Sequence, residues 1–199
     1  MNSFLQQFVF ATLNSNKVKE IESLCSKYNT KVYDASSFTK ELPKETGNTF
    51  AENAAIKANY LGKISNLPSL ADDSGLCVNA LNGDPGIYSA RWAGESKNYN
   101  LAINKICEQL KNTSDYSASF VCVLALFLPD CNKIEYFRGE VRGNLVFPPR
   151  GGNGFAYDII FVPDGYNQTF AEMSSKLKNS ISHRKQAFNL FAQKHLKLQ

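Results

Sequence analysis

The run SASFVCVLALFL, residues 117–128, constrains this chain more than any other stretch. Side chains of a strand alternate between the two faces of a sheet, and here both alternating sets are mostly apolar. Such a run belongs in a central strand with both faces covered. Residues 8–11 read as a second buried strand and a third surrounds Leu70, while KIEYFRGEVRGNLVF alternates as an edge or hairpin strand does.

Helical patterns fall between these strands. Val18, Ile21, Leu24, Cys25 and Tyr28 recur at helical spacing after the first strand. TFAENAAIKANYLGKI opens with Thr49 three residues before Glu52, the spacing of a capping box. It carries Ala54, Ala58 and Leu61 on one side, with Asn53 and Lys57, four apart, on another. Residues 98–111 read as a helix, and SISHRKQAFNLFAQKHLKL closes the chain with a helix that turns Ala187, Phe188 and Phe191 inward. Asn-Gly and Pro-Gly pairs in LNGDPGIYSARW mark tight turns. Interleaved strands and helices make the class α/β with a mixed central sheet, and no repeat or linker divides residues 1–199 from being one domain.

The formal charge of +4 is spread without a basic run, which makes a poor case for a nucleic-acid polymer and suits a small anionic ligand. Five scattered cysteines with no C-x-x-C pair argue against a disulfide framework or a zinc site and for a reducing compartment. MNSFLQQFVFATLN lacks the basic n-region of a signal peptide, and no apolar stretch approaches the ~18 residues of a spanning helix. The expectation is a cytoplasmic protein with no membrane partner.

In ADDSG two carboxylates, Asp72 and Asp73, interrupt the third strand. Adjacent side chains of a regular strand face opposite ways, so the pair serves two different surroundings unless a bulge brings both together.

Thr12, Asn14, Ser15 and Asn16 precede a helix whose first turn holds Lys17. A lysine there opposes the helix dipole, a misfit that a bound phosphate relieves. The same residues also serve simply as caps, with Lys17 in solvent and offset by Glu20 and Glu22. The misfit recurs at SISHRK, where His183 and Arg184 open the last helix with Lys178 upstream. Arginine grips phosphate or stacks on a base and histidine donates to a carbonyl, unless these are ordinary surface cations.

Glu41 and Glu45 in ELPKETGNTF lie just before the capped helix. Glu45, Asp72 and Asp73 are adequate for a magnesium-nucleotide site and inadequate for a full metal cage; as loop acids they are equally at home in water. In RGGNGFAYD, Gly151, Gly152 and Gly154 permit close backbone approach, and Phe155 and Tyr157 beside Asp158 offer flat faces to a planar base or to the core.

Phosphate anchors, a carboxylate metal site and an aromatic slot are the three parts a nucleoside triphosphate needs. Other chemistries lack their spacing: there is no P-loop motif, no G-x-S-x-G elbow, no D-x-D for an aspartyl-phosphate route, and no cysteine with a basic neighbour.

The segments FATLNSNKVKEI, ETGNTFAENAAIKA, LADDSGLCVNALNGDPGIYSARW, RGGNGFAYDIIFVPDGYNQTFAEM and KNSISHR, in this order, resemble the inosine triphosphate pyrophosphatases. The resemblance spans nearly the whole chain. It implies magnesium-dependent hydrolysis of ITP, dITP or XTP to the monophosphate and pyrophosphate. It also implies an elongated α/β molecule with two lobes and the substrate cleft between them, usually as a homodimer.

Carried over, Thr12, Leu13, Asn14, Ser15, Asn16, Lys17, Lys57 and Arg91 hold phosphates, and Asp73 is the metal-associated general base. Ser74 touches substrate, while Phe155, Ala156, Tyr157, Asp158, Lys178, His183 and Arg184 enclose and read the base. Three positions depart from the family pattern: Leu13 and Ala156 stand where glycine is usual, and Lys44 stands where many relatives have a metal-binding Glu, leaving Glu45 as its substitute. A nucleotide-binding module without catalysis is the alternative these departures allow.

Overall fold

A computed structural model describes residues 4–199. Among them the chain forms β1 (Gln7–Phe10), α1 (Ser15–Cys25), β2 (Lys31–Asp34), α2 (Phe50–Ser65), β3 (Ser69–Val78), α3 (Ser89–Trp92), α4 (Tyr99–Gln109), β4 (Ser117–Leu128), β5 (Lys133–Leu145), β6 (Phe161–Pro163), α5 (Ser175–Ile181) and α6 (His183–His195). The sheet order is β2-β1-β3-β4-β5-β6. β1 runs parallel to β2 and β3, and β5 antiparallel to β6, so the sheet is mixed as expected. The run at 117–128 is an interior strand. β5 lies one place in from the edge, because the three-residue β6, too short to announce itself in sequence, takes the edge.

The chain divides into two compact units. One comprises the chain as far as Asp73 together with 122–139 and 185–199; the other comprises 74–121 and 140–184.

In the first unit, strand alternation sorts apolar side chains into two layers. Phe8, Phe10, Leu70, Cys122, Leu124 and Leu126 pack with Ile21 of α1 and with Phe188 and Phe191 of α6. Their sequence neighbours Val9, Ala11, Ala71, Ala125 and Phe127 pack with Ala54, Ala58 and Leu61 of α2. The small alanines bring α2 close to the strands: a Cβ on Gly62 would collide with the Phe127 ring. α2 starts at Thr49, whose side chain accepts the Glu52 N–H at 3.1 Å, while the Glu52 carboxylate reaches back to the Asn48 N–H at 2.6 Å. This is the expected box with its return bond one residue earlier.

The second unit has its own core. Leu76 and Val78 of β3, Ala118 and Phe120 of β4, and Val141 and Leu145 of β5 meet Ala102, Ile103 and Ile106 of α4. Phe161 and Phe170 complete it, both within 6 Å of the Phe120 ring.

Candidate active site

The two-layer sorting of the first unit decides the fate of the twin aspartates. Asp72 has the parity of Leu70 and therefore faces the α1 layer; Asp73 has the parity of Ala71 and faces α2. Lys17, from the first turn of α1, reaches Asp72 Oδ2 at 2.9 Å, and that carboxylate has no exposed surface. The helix start is closed by Asn14, whose side chain accepts the N–H groups of Asn16 and Lys17 at 3.0 and 3.4 Å. Thr12 Oγ1 in turn accepts the Asn14 N–H at 3.2 Å. The expected cap is therefore built, while Lys17, expected either at a phosphate or in solvent offset by Glu20 and Glu22, is instead paired with a buried carboxylate.

On the opposite face, α2 presents two polar side chains one turn apart. Asn53 Nδ2 donates to Asp73 Oδ2 at 3.1 Å, and Lys57 Nζ lies 3.9 Å from Asp73 Oδ1. Lys57 also donates to Glu45 Oε1 at 2.5 Å, which ties the loop before α2 to the same cluster. Burial pushes the Asp73 carboxyl up and Glu45 adds to the effect; Lys57, Lys17 and the Asn53 hydrogen bond oppose it, and the outcome is about 6. Burial alone would lower Lys57, but the carboxylates of Asp72, Asp73 and Glu45 overcome that and hold it above the ordinary lysine value. The cluster is thus a permanently charged lysine among acids, one of which is poised near neutrality.

The second unit holds a different chemistry. Lys178 of α5 is buried, with its Nζ 2.6 Å from Asp158 Oδ2 and 4.6 Å from the centre of the Phe155 ring. The same Asp158 oxygen accepts the Phe155 N–H at 2.8 Å, so one ion pair fixes the backbone and the ring of the glycine-rich segment. Gly154 has φ +77°, and a Cβ there would strike Asp158. The His183 ring stacks on Phe120 at 5.0 Å and 11°, and Arg184, 2% exposed, donates from Nη2 to Ser74 Oγ at 3.1 Å. Aromatic faces and buried cations suit a planar, oxygen-bearing ring.

A family model for the Ham1 family matches residues 8–194. The chain belongs to the Ham1 family. It is 44% identical over 185 residues to the dITP/XTP pyrophosphatase of Zymomonas mobilis, covering 92% of this chain and 88% of that protein. It is 46% identical to the dITP/XTP pyrophosphatase of Rhodospirillum centenum, with 90% of each chain covered. A solved HAM1 protein from Coxiella burnetii superposes with a TM-score of 0.88 at 40% identity, over 95% of this chain and 98% of that one. The Staphylococcus aureus Ham1 protein gives 0.84 at 40% identity, over 93% and 95%.

In this Ham1 chain the first unit joins Lys57 to Glu45 and Asp73 on the α2 face of β3, and Lys17 to Asp72 beside the Thr12–Asn14 cap on the α1 face. Leu13, Ser15 and Asn16 are exposed beside that cap, and Lys44 is exposed as well. The second unit joins Asp158 and Lys178 to Phe155, and Arg184 to Ser74. Ala156 adopts φ +56°, a left-handed conformation that glycine takes without strain. Tyr157 is 1% exposed, packs edge-on against Tyr99, and donates its hydroxyl to the Ser89 carbonyl at 2.8 Å; its ring belongs to the core. Arg91 is exposed on α3, its guanidinium 4.9 Å from the Tyr88 ring centre.

Sequence reasoning missed three contributors. The Lys17 anchor is Asp72, the ring beneath His183 is Phe120, and Asn53 touches Asp73. Strand alternation turned Asp72 away from Asp73 without naming its partner, and Asn53 left its four-residue spacing from Lys57; the Phe120 ring left no signal. Among the described residues, no group of three His, Cys, Asp or Glu side chains is arranged to hold a metal ion by itself.

Proposed function

We propose that this chain hydrolyses the non-canonical purine nucleoside triphosphates dITP, ITP and XTP to the monophosphate and pyrophosphate, clearing them from the nucleotide pool. The observation that carries this reading is Lys57, held as a cation between Glu45 and a buried Asp73 whose carboxyl sits at about 6. Relatives that are 44% and 46% identical over nearly their whole length are dITP/XTP pyrophosphatases, which favours catalysis over a binding module.

In this reading Lys17 and Lys57 meet phosphate oxygens, with the exposed Ser15 and Asn16 at the α1 start offering polar contacts. Arg91 adds an exposed cation for the leaving pyrophosphate. Asp73 orients a water toward the α-phosphorus and takes its proton; a carboxyl at about 6 is largely ionised at pH 7.5 yet still a useful base. The donor set suits a hard divalent cation: two carboxylates, Asp73 and Glu45, crowd one lysine, and magnesium takes one or two protein carboxylates with substrate phosphates. Asp73 and Glu45 would hold it, and when bound it supplies charge neutralisation at the phosphate oxygens.

Base selection falls to the second unit. Phe155, placed by the Asp158–Lys178 pair, offers a stacking face. His183, Arg184 and backbone N–H groups near Ala156 present donors that suit a 6-oxo group. Adenine would set its 6-amino donor against donors and leave them unsatisfied, at a cost of about 1–3 kcal/mol each. The family resemblance adds a homodimer and a cytoplasmic setting to this proposal.

The test is pyrophosphate release with magnesium across dITP, ITP, XTP, GTP and ATP. Release from the first three with ATP strongly disfavoured is expected. Equal kcat/KM for ITP and ATP refutes the selectivity, and orthophosphate as the sole product refutes the reaction.

A further inference from the structure

We infer that Asn53 is a positioning residue for Asp73, setting which carboxylate oxygen takes part in the chemistry; this rests on the reading of Asp73 as the base. Asn53 has no exposed surface, and both ends of its amide are engaged. Its Oδ1 accepts the Gly47 N–H at 2.9 Å, and its Nδ2 donates to Asp73 Oδ2 at 3.1 Å.

The residue type follows from these partners. A backbone N–H only donates and a carboxylate only accepts, so the side chain between them needs one acceptor end and one donor end. Asparagine has both at this length; aspartate lacks the donor and leucine lacks both. Because Gly47 claims the oxygen, the amide cannot turn over, and Nδ2 is committed to Asp73.

Gly47 is itself required. A Cβ there would lie 2.5 Å from Glu52 Cβ and 2.9 Å from Asn53 Oδ1. The same loop carries Glu45 two residues earlier, whose Oε1 holds Lys57. One amide therefore ties together the Glu45 loop, helix α2 and the carboxylate on β3. Asp73 Oδ2 is held by Asn53, and Oδ1 is turned to the Lys57 side, 3.9 Å from its Nζ.

A carboxylate held in this way keeps one oxygen aimed at the attacking water. Loss of the amide donor removes this restraint on Oδ2, and a misplacement of ~1 Å in a reacting group costs about 100-fold in rate.

The variant Asn53→Asp keeps the shape and the acceptor for Gly47 but replaces the donor that faces Asp73 by an acceptor. Its kcat for dITP is expected to fall about 100-fold while KM stays within about threefold. A kcat within about threefold of wild type, or a raised KM with kcat kept, overturns the inference.

Should Asn53→Asp not fold, side-chain amide NMR of the nucleotide-free, metal-free protein decides without any turnover. The Asn53 Nδ2 protons are expected to exchange slowly in wild type and to shift and exchange faster in Asp73→Ala; signals indifferent to Asp73→Ala overturn the inference. A wild type that releases no pyrophosphate from dITP refutes the proposed reaction instead, while the same spectra still test whether Asn53 holds Asp73.

Discussion

Lys17 and Asp72 form an ion pair of 2.9 Å in which the carboxylate is wholly buried and the lysine side chain is 16% exposed. It holds a cation at the start of α1, where the helix dipole alone would disfavour one. Lys17→Met removes the ion-pair partner of a buried charge and is expected to destabilise the protein by about 3 kcal/mol, read by urea unfolding. Nucleotide affinity should fall with it. An unchanged unfolding midpoint would show that the pair does not anchor the helix start.

Asp73 carries an opposite sign of stability effect. Its carboxyl is raised by burial from 3.8 to about 6, so the folded state binds a proton the unfolded chain has released. Stability from this group is intact below about pH 4, declines as pH rises to about 6, and is then lower by about 2–3 kcal/mol. Asp73→Asn should therefore melt higher than wild type at pH 7.5 in chelator, with the gap closing at pH 4. It should bind dITP yet lose most turnover; a variant with near-normal turnover removes Asp73 from the base role.

Ala156 at φ +56° and Gly154 at φ +77° make opposite predictions two residues apart. Ala156→Gly relieves a left-handed alanine and is expected to stabilise by about 0.5 kcal/mol, the gain being trimmed by glycine's greater chain entropy. Gly154→Ala adds the same strain and drives a methyl into Asp158, splitting it from Lys178, for a loss of about 3 kcal/mol. Chemical denaturation of the two variants side by side tests the sign difference.

Glu135 on β5 accepts from Lys133 at 2.8 Å, from Lys194 at 2.7 Å and pairs with His195 at 2.8 Å at the end of α6. Hydrogen bonds from Lys133 and Lys194 hold its carboxyl down at about 2. A depressed carboxyl stabilises above its unfolded value of 4.5 and loses that contribution as pH falls toward 2. Glu135→Gln should cost about 1 kcal/mol at pH 7, solvent screening of the lysines included, and almost nothing at pH 2. Thermal melts at the two pH values distinguish this from a packing effect, which would persist.

Much of this fold was legible because the apolar runs carry their own parity. The unbroken run of β4 called for two covered faces, and α2 and α6 supply them over the first unit. The Thr49–Glu52 box marked the start of α2 because capping depends on residues within one turn. Short elements escaped: β2 and β6, of four and three residues, are strands only because a neighbour pairs with them. Tyr157 looked like a face for a base because composition cannot tell an aromatic beside a glycine turn from one beneath it; its hydroxyl bond to Ser89 draws it into the core.

What the sequence determined by itself was the α/β class, the strand parity that sends Asp72 and Asp73 opposite ways, and the resemblance that points to nucleoside triphosphates. What only the tertiary structure decided was which partners wait on each face. Lys17 comes to Asp72 from a helix 55 residues earlier, and Asn53 and Lys57 come to Asp73 from 20 and 16 residues before it. Those distances along the chain carry no local signal, because the pairings arise from helices docking on opposite sides of one strand. The charge state of Asp73 likewise follows from burial, which no short stretch of sequence encodes.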